Sequence, residues 1–169
     1  MTDVFDEKKR SDIMSRIRST NTKPELTVRK LLFASGFRYR LYDKKLPGKP
    51  DIVLPRWRTV VLVHGCFWHS HQGCSRDTTP TQNHEFWIQK LNRNRARDLE
   101  VRRQLHELGW RVLVVWECAC RKSLLEHLQG RMERFIKFGT EEYAELGGLD
   151  LSASTDSEAG SGRVENQSS

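Results

Sequence analysis

Between Pro50 and Cys74 the chain gathers residues that can do chemistry. They are an isolated acid, Asp51; three of the six histidines, His64, His69 and His71; two of the four cysteines, Cys66 and Cys74; and an aromatic pair, Phe67-Trp68. Cys66, His71 and Cys74 fall within nine residues, and Cys118 or Cys120 could complete a tetrahedral Cys3His set. Thiolates and imidazole suit zinc, and four protein ligands leave no open position, so such a site is structural. The plainer alternative is a group of small buried thiols. Asp51 offers different chemistry. A carboxylate beside the carbonyl of Val63 is a hard oxygen pair suited to Mg2+, which activates water and neutralises phosphate charge. His69 could serve as general base near neutral pH, with His64 at the same sheet edge. Asp51 could equally be a turn residue after Pro50.

Two more acids have double readings. Glu25 completes a capping box begun by Thr22, and Asp98 could pair with Arg102 at i+4; either could instead hold a metal-bound water. Phe67-Trp68 interrupts a polar loop, and Phe86-Trp87 opens a basic helix. Aromatic side chains beside basic ones can stack on bases or unstack them, although core packing accounts for many such pairs. Of the second pair, Trp87 is expected at the surface and Phe86 in the core.

The elements that must position these groups follow from local signals. Thr22-Lys23-Pro24-Glu25 starts a helix and Gly36 stops it. Phe37 to Tyr42 alternates apolar with basic residues like a half-buried strand, and Asp51 to Leu54 is a second strand. Thr59 to His64 is apolar on both faces, which marks a central strand. Glu85 to Leu108 reads as a long helix, with Ile88, Leu91, Leu99, Leu105 and Leu108 toward the core and an arginine-rich outer face. Arg111 to Trp116 is a buried strand, and Leu124 to Ile136 carries a closing amphipathic helix. The order is αβββαβ plus a helix, so we expect an α/β fold with a mixed sheet flanked by helices.

With 169 residues, one domain is expected. Residues 1–20 read as a basic arm, 21–138 as the folded domain, and 139–169 as a disordered tail poor in large apolar residues. The net charge is +7. From Gly147 onward Asp150, Asp156, Glu158 and Glu165 face Arg163 alone, so the basic excess lies in the preceding residues. That excess suits a polyanionic partner. No apolar run is long enough for a membrane span and no signal peptide is visible, so a cytoplasmic protein with reduced cysteines is expected.

Several blocks together resemble a known family: TKPEL at 22–26, LPGKPD at 46–51, VHGCFWH at 63–69, EFWIQKLNRNRARD at 85–98 and GWRVLVVWEC at 109–118. They are similar to the very-short-patch repair (Vsr) DNA mismatch endonucleases over roughly residues 8–136. The resemblance implies a restriction-endonuclease-like core and a Mg2+-dependent nick 5′ of the thymine in a T·G mismatch, the product of 5-methylcytosine deamination. It implies Asp51 and the Val63 carbonyl as Mg2+ ligands, His69 as general base, and Glu25, His64 and Asp98 in support. Phe67, Trp68 and Trp87 would wedge into double-stranded DNA, and Cys66, His71, Cys74 and Cys118 would hold zinc. A monomer, linked to a cytosine-5 DNA methyltransferase and working at the bacterial nucleoid, completes the expectation. Two features depart from related patterns. Leu62-Val63-His64 replaces the acid and lysine common on strand three of this fold, and two residues rather than one separate His71 from Cys74.

Overall fold

The computed structural model describes residues 20–152; the expected arm lies almost wholly outside them. Helix α1, Lys23–Ala34, opens as its sequence requires. The Thr22 hydroxyl accepts from the Glu25 amide and donates to Glu25 Oε1 at 2.9 Å, which satisfies an otherwise unpaired donor of the first turn. Gly36, at φ +83°, supplies the left-handed turn at the far end, and the Phe37 amide returns to Leu32 O.

Five strands form one sheet in the order β1-β2-β3-β4-β5: Arg40–Leu41, Ile52–Leu54, Thr59–His64, Arg111–Trp116 and Tyr143–Leu146. The first three run antiparallel; β4 lies parallel to β3, and β5 parallel to β4. Helix α2, His84–Glu107, makes the β3-to-β4 crossover, and α3, Leu125–Phe138, leads from β4 to β5. The mixed sheet is therefore as expected. Val61, Leu113 and Val115 point to one face with Val28 and Leu32 of α1 and Leu128, Met132 and Ile136 of α3. Val60, Leu62, Val112, Val114 and Trp116 point to the other, beneath Leu105 of α2. The period of two along β3 and β4 thus splits the core into two layers.

Several expectations need correction. The strand foreseen over Phe37 to Tyr42 shrinks to Arg40–Leu41. Phe37 closes the end of α1, and Tyr42 turns to φ +49° so that its hydroxyl reaches Glu25. On α2 only Leu91 and Leu105 are buried, while Ile88, Leu99 and Leu108 are exposed. The inward stripe is Trp87, Leu91, Asn94, Asp98, Val101 and Leu105, spaced four and three by turns, and its polar members hide it from a count of apolar residues. The loop before β2 leans on this stripe. At Gly48, φ +68°, a Cβ would stand 2.4 Å from Val101 Cγ1.

The tail expected over 139–169 is corrected where it is described. Residues 143–146 form β5 against β4, and Leu146 and Leu151 are buried in the core. Because Leu151 is fully enclosed, Leu151→Ala should cost about 2–4 kcal/mol of folding free energy. Denaturant unfolding measures this, and a loss within experimental error would contradict the assignment of 143–152 to the folded domain.

Candidate active site

Asp51 directly precedes β2, and the antiparallel register with β3 brings it beside Val63. The contact is made by the Val63 amide, which donates to Asp51 Oδ2 at 2.8 Å. Burial pushes the Asp51 carboxyl up to about 6; the charge of Glu25 adds to this, while the Val63 amide, Arg29 and His69 oppose it. A carboxylate desolvated to this degree, with one amide donor, favours a cation beside it.

After His64, at the end of β3, the chain folds back at once. The His69 amide donates to Gly65 O and the His71 amide to Cys66 O, with Ser70 at φ +50°. This double turn lays the His69 ring flat on His64, centroids 3.8 Å apart and planes 6° from parallel. His69 Nδ1 lies 2.5 Å from Asp98 Oδ2, supplied by the inward stripe of α2. A carboxylate at that distance holds the proton on Nδ1 and leaves Nε2 as the acceptor. Burial drives the His64 imidazole down to about 3, helped by its neighbour His69, so His64 is neutral at physiological pH. The donor atoms of His64, His69 and Asp98 are close enough to share a metal ion. However, rings stacked face to face aim their lone pairs side by side rather than at one point, so this trio suits proton transfer better than metal binding.

Glu25 is nearly fully buried, and its oxygens are engaged by Thr22, the Asn21 amide, Arg29 Nη2 at 3.0 Å and the Tyr42 hydroxyl at 2.5 Å. Burial and the bond to Glu25 raise the Tyr42 phenol, which stays protonated as a donor. Sequence reasoning foresaw the Thr22 bond and missed the rest. The Glu25–Arg29 spacing of four residues was the available signal; nothing local pointed to Tyr42. Glu25, Asp51, His64, His69 and Asp98 all line one cavity of about 790 Å³, with Trp68 at its wall.

Phe67, Trp68 and Trp87 come together in edge-on or tilted contacts 5.0–6.1 Å apart. The second aromatic pair is reversed from expectation: Phe86 is 53% exposed and Trp87 is half-buried. Trp87 lies on the inward stripe, and Phe86 sits 100° around the helix from it. The Asn94 side chain donates to Trp68 O at 2.9 Å and ties the aromatic loop to α2.

A second cluster lies on the other side of the same turn. The ligand atoms of Cys66, His71, Cys74 and Cys118 all fall within 4.8 Å of one another. His71 Nδ1 is 3.6 Å from Cys66 Sγ and 3.4 Å from Cys118 Sγ. Ligands about 2.0–2.3 Å from a tetrahedral zinc stand roughly 3.4–3.8 Å apart, so the set fits that ion. Hydrogen bonding from the Cys66 thiol and the Gly148 amide draws the Cys118 thiol below the usual range, despite its burial, which favours the thiolate a metal needs. Cys120 is outside the set. Its sulfur faces Pro24 O at 4.0 Å, and burial pushes its thiol up to about 12. Of the two cysteines that the sequence left open, the short 3-10 turn Glu117–Cys120 brings the sulfur of Cys118 to His71.

Two outcomes are expected from this geometry. Cys118→Ser should lose most bound metal and Cys120→Ser should keep it, as elemental analysis would show; the reverse would contradict the cluster. For Asp51, the folded protein holds its proton more tightly than the unfolded chain does. Its contribution to stability therefore falls as pH rises from about 4 through about 6. In Mg2+-free buffer at pH 8, Asp51→Asn should stabilise the fold by on the order of 2 kcal/mol, and the gain should vanish toward pH 4. A variant less stable than wild type at pH 8 would contradict the burial of an unpaired charge.

Comparison with known proteins gives this site a family. A family model described as DNA mismatch endonuclease Vsr matches residues 2–76. The type II nicking enzyme V.NmeAIP of Neisseria meningitidis serogroup A is 46% identical over 138 residues, covering 81% of this chain and 98% of that protein. V.XorIIP of Xanthomonas oryzae pv. oryzae, also a type II nicking enzyme, is 48% identical across 80% of this chain and 98% of its own length. The DNA mismatch endonuclease Vsr of Escherichia coli is 42% identical across 80% of this chain and 88% of its own. Identity at this level over nearly the full length of each relative makes the chain a member of the Vsr family of DNA endonucleases.

Proposed function

We propose that the protein nicks one strand of double-stranded DNA on the 5′ side of the thymine in a T·G mismatch, by Mg2+-dependent phosphodiester hydrolysis. The observation that carries this reading is the shared cavity. Acid, base and an aromatic side chain able to part a base stack all border one space, so unstacking and hydrolysis can occur at one place.

His69, with its Nδ1 proton held by Asp98, takes a proton from the attacking water at Nε2 as the phosphodiester bond breaks. His64, neutral and stacked on it, holds the ring flat without adding a competing charge. Asp51 and the Val63 carbonyl would hold Mg2+, which when bound supplies positive charge to the phosphate and the leaving oxygen. Asp51 fits that role because it is a desolvated carboxylate with one hydrogen bond. Glu25, held by four donors, contributes fixed negative charge to the cavity wall. Phe67, Trp68 and Trp87 enter the stack beside the mismatch. Cys66, His71, Cys74 and Cys118 would hold zinc and give the loop its shape, on a restriction-endonuclease-like core.

The same reading has the protein act as a monomer on nucleoid DNA in the bacterial cytoplasm, alongside a cytosine-5 methyltransferase whose target site supplies the mismatch. Among the described residues no helix is long and apolar enough to cross a membrane.

Single-turnover nicking of a T·G duplex, set against a T·A duplex of the same sequence, tests the reading. Wild type should nick the thymine strand of the mismatch and leave T·A intact. Asp51→Asn and His69→Ala should each slow nicking by about a hundredfold or more. Wild-type rates in either variant would overturn the mechanism, and equal cleavage of T·A would overturn the mismatch specificity.

A further inference from the structure

A train of ring contacts joins the four-ligand cluster to the histidine pair, and its middle member has no role in the mechanism above. Trp116, the last residue of β4, stands opposite His64 in the parallel register. One face of its indole lies on the His71 ring, with centroids 4.1 Å apart and planes 5° from parallel. His64 meets the same indole edge-on, at 5.3 Å and 77°, and His64 in turn carries His69.

The plane of that indole is set from β5. Trp116 Nε1–H donates to Glu145 Oε2 at 2.9 Å, and the other oxygen of Glu145 accepts from the Tyr143 hydroxyl. The residues after β5 then close on the cluster. The Gly148 amide donates to Cys118 Sγ at 3.1 Å. A Cβ at Gly147 would stand 2.9 Å from His71 Cε1, and one at Gly148 would stand 3.0 Å from Cys118 O. A side chain at either position would press directly on the cluster.

We infer that Trp116, locked by Glu145, is a positioning residue that orients His71 in the metal cluster and the His64–His69 stack at the same time. A rigid ring wedged between two imidazoles passes its own tilt to both, and its one hydrogen bond fixes that tilt. Partners that orient a metal ligand from outside the coordination sphere tune both affinity and activity; here one indole does so for a ligand and for the general base. The inference rests on the reading of His69 as base, but its metal arm does not.

Glu145 is exposed, so Glu145→Ala removes the acceptor without disturbing the core. Trp116→Phe keeps a ring and removes the donor. Three quantities are measured on the full chain: release of zinc to a chromogenic chelator, single-turnover nicking of a T·G duplex, and affinity for that duplex. Both variants should release zinc and slow nicking by about fivefold or more, with DNA affinity within about twofold of wild type. Glu145→Gln, whose amide oxygen still accepts, should restore both. Wild-type zinc release in both variants would overturn the inference, as would faster release without slower nicking, or wild-type protein with no metal at the cluster. If wild type does not nick the mismatch, the functional reading fails, and zinc release alone then decides whether Trp116 orients His71.

Discussion

The turn after β3 carries groups with opposed demands, and the meeting of Cys66, His71 and Cys74 with Cys118 reconciles them. Phe67, Trp68 and His69 all lie between Cys66 and His71. A wedge must present apolar surface toward a ligand, whereas a general base must be held to within a fraction of an ångström of its target. On the proposed reading both come from one short turn whose two ends are drawn to a common point at the end of β4. Backbone bonds from His69 to Gly65 and from His71 to Cys66 shape the turn, but neither bond ties it to the sheet. The ligand cluster does. On the proposed reading a metal at that point acts on geometry rather than on chemistry, alongside the bonds by which Asp98 and Asn94 hold His69 and Trp68 to α2.

The rest of the site is built at a cost to stability. Asp51 is a desolvated carboxylate, and buried Glu25 lies close enough to raise its proton affinity further. Arg29 and the Val63 amide offset part of that penalty. His64 is kept neutral in surroundings that reject its charge. Such arrangements persist because the surrounding fold over-determines them: the two core layers, which take in residues of β2, β3 and β4, fix the strand ends from which Asp51, His64 and Trp116 project.

Much of this was legible in the residues. The capping box of α1, the doubly apolar β3 and β4 and the short Cys/His spacing each carry a local signal; the structure bears the first two out and brings the four Cys and His side chains together. What could not be read depends on tertiary pairing. Tyr143-Ala144-Glu145-Leu146 looks like a polar continuation of a tail, and becomes a strand only because β4 offers an edge. Cys118 and Cys120 differ by two residues, and a 3-10 turn decides which sulfur meets His71. Phe86 and Trp87 are equivalent until the phase of α2 is known. The spacing from Trp87 through Leu91, Asn94, Asp98, Val101 to Leu105 held that phase, but Asn94 and Asp98 interrupt it as an apolar pattern because both are engaged elsewhere in the site.

On the proposed reading one brace divides the Pro50–Cys74 segment between a structural cluster and a hydrolytic cavity. X-ray absorption at the zinc edge of the purified protein tests it most directly. The expected result is one zinc per chain with three sulfur neighbours at about 2.3 Å and one nitrogen at about 2.0–2.1 Å. A shell of nitrogen and oxygen alone, which would place the metal among His64, His69 and Asp98 instead, would contradict it.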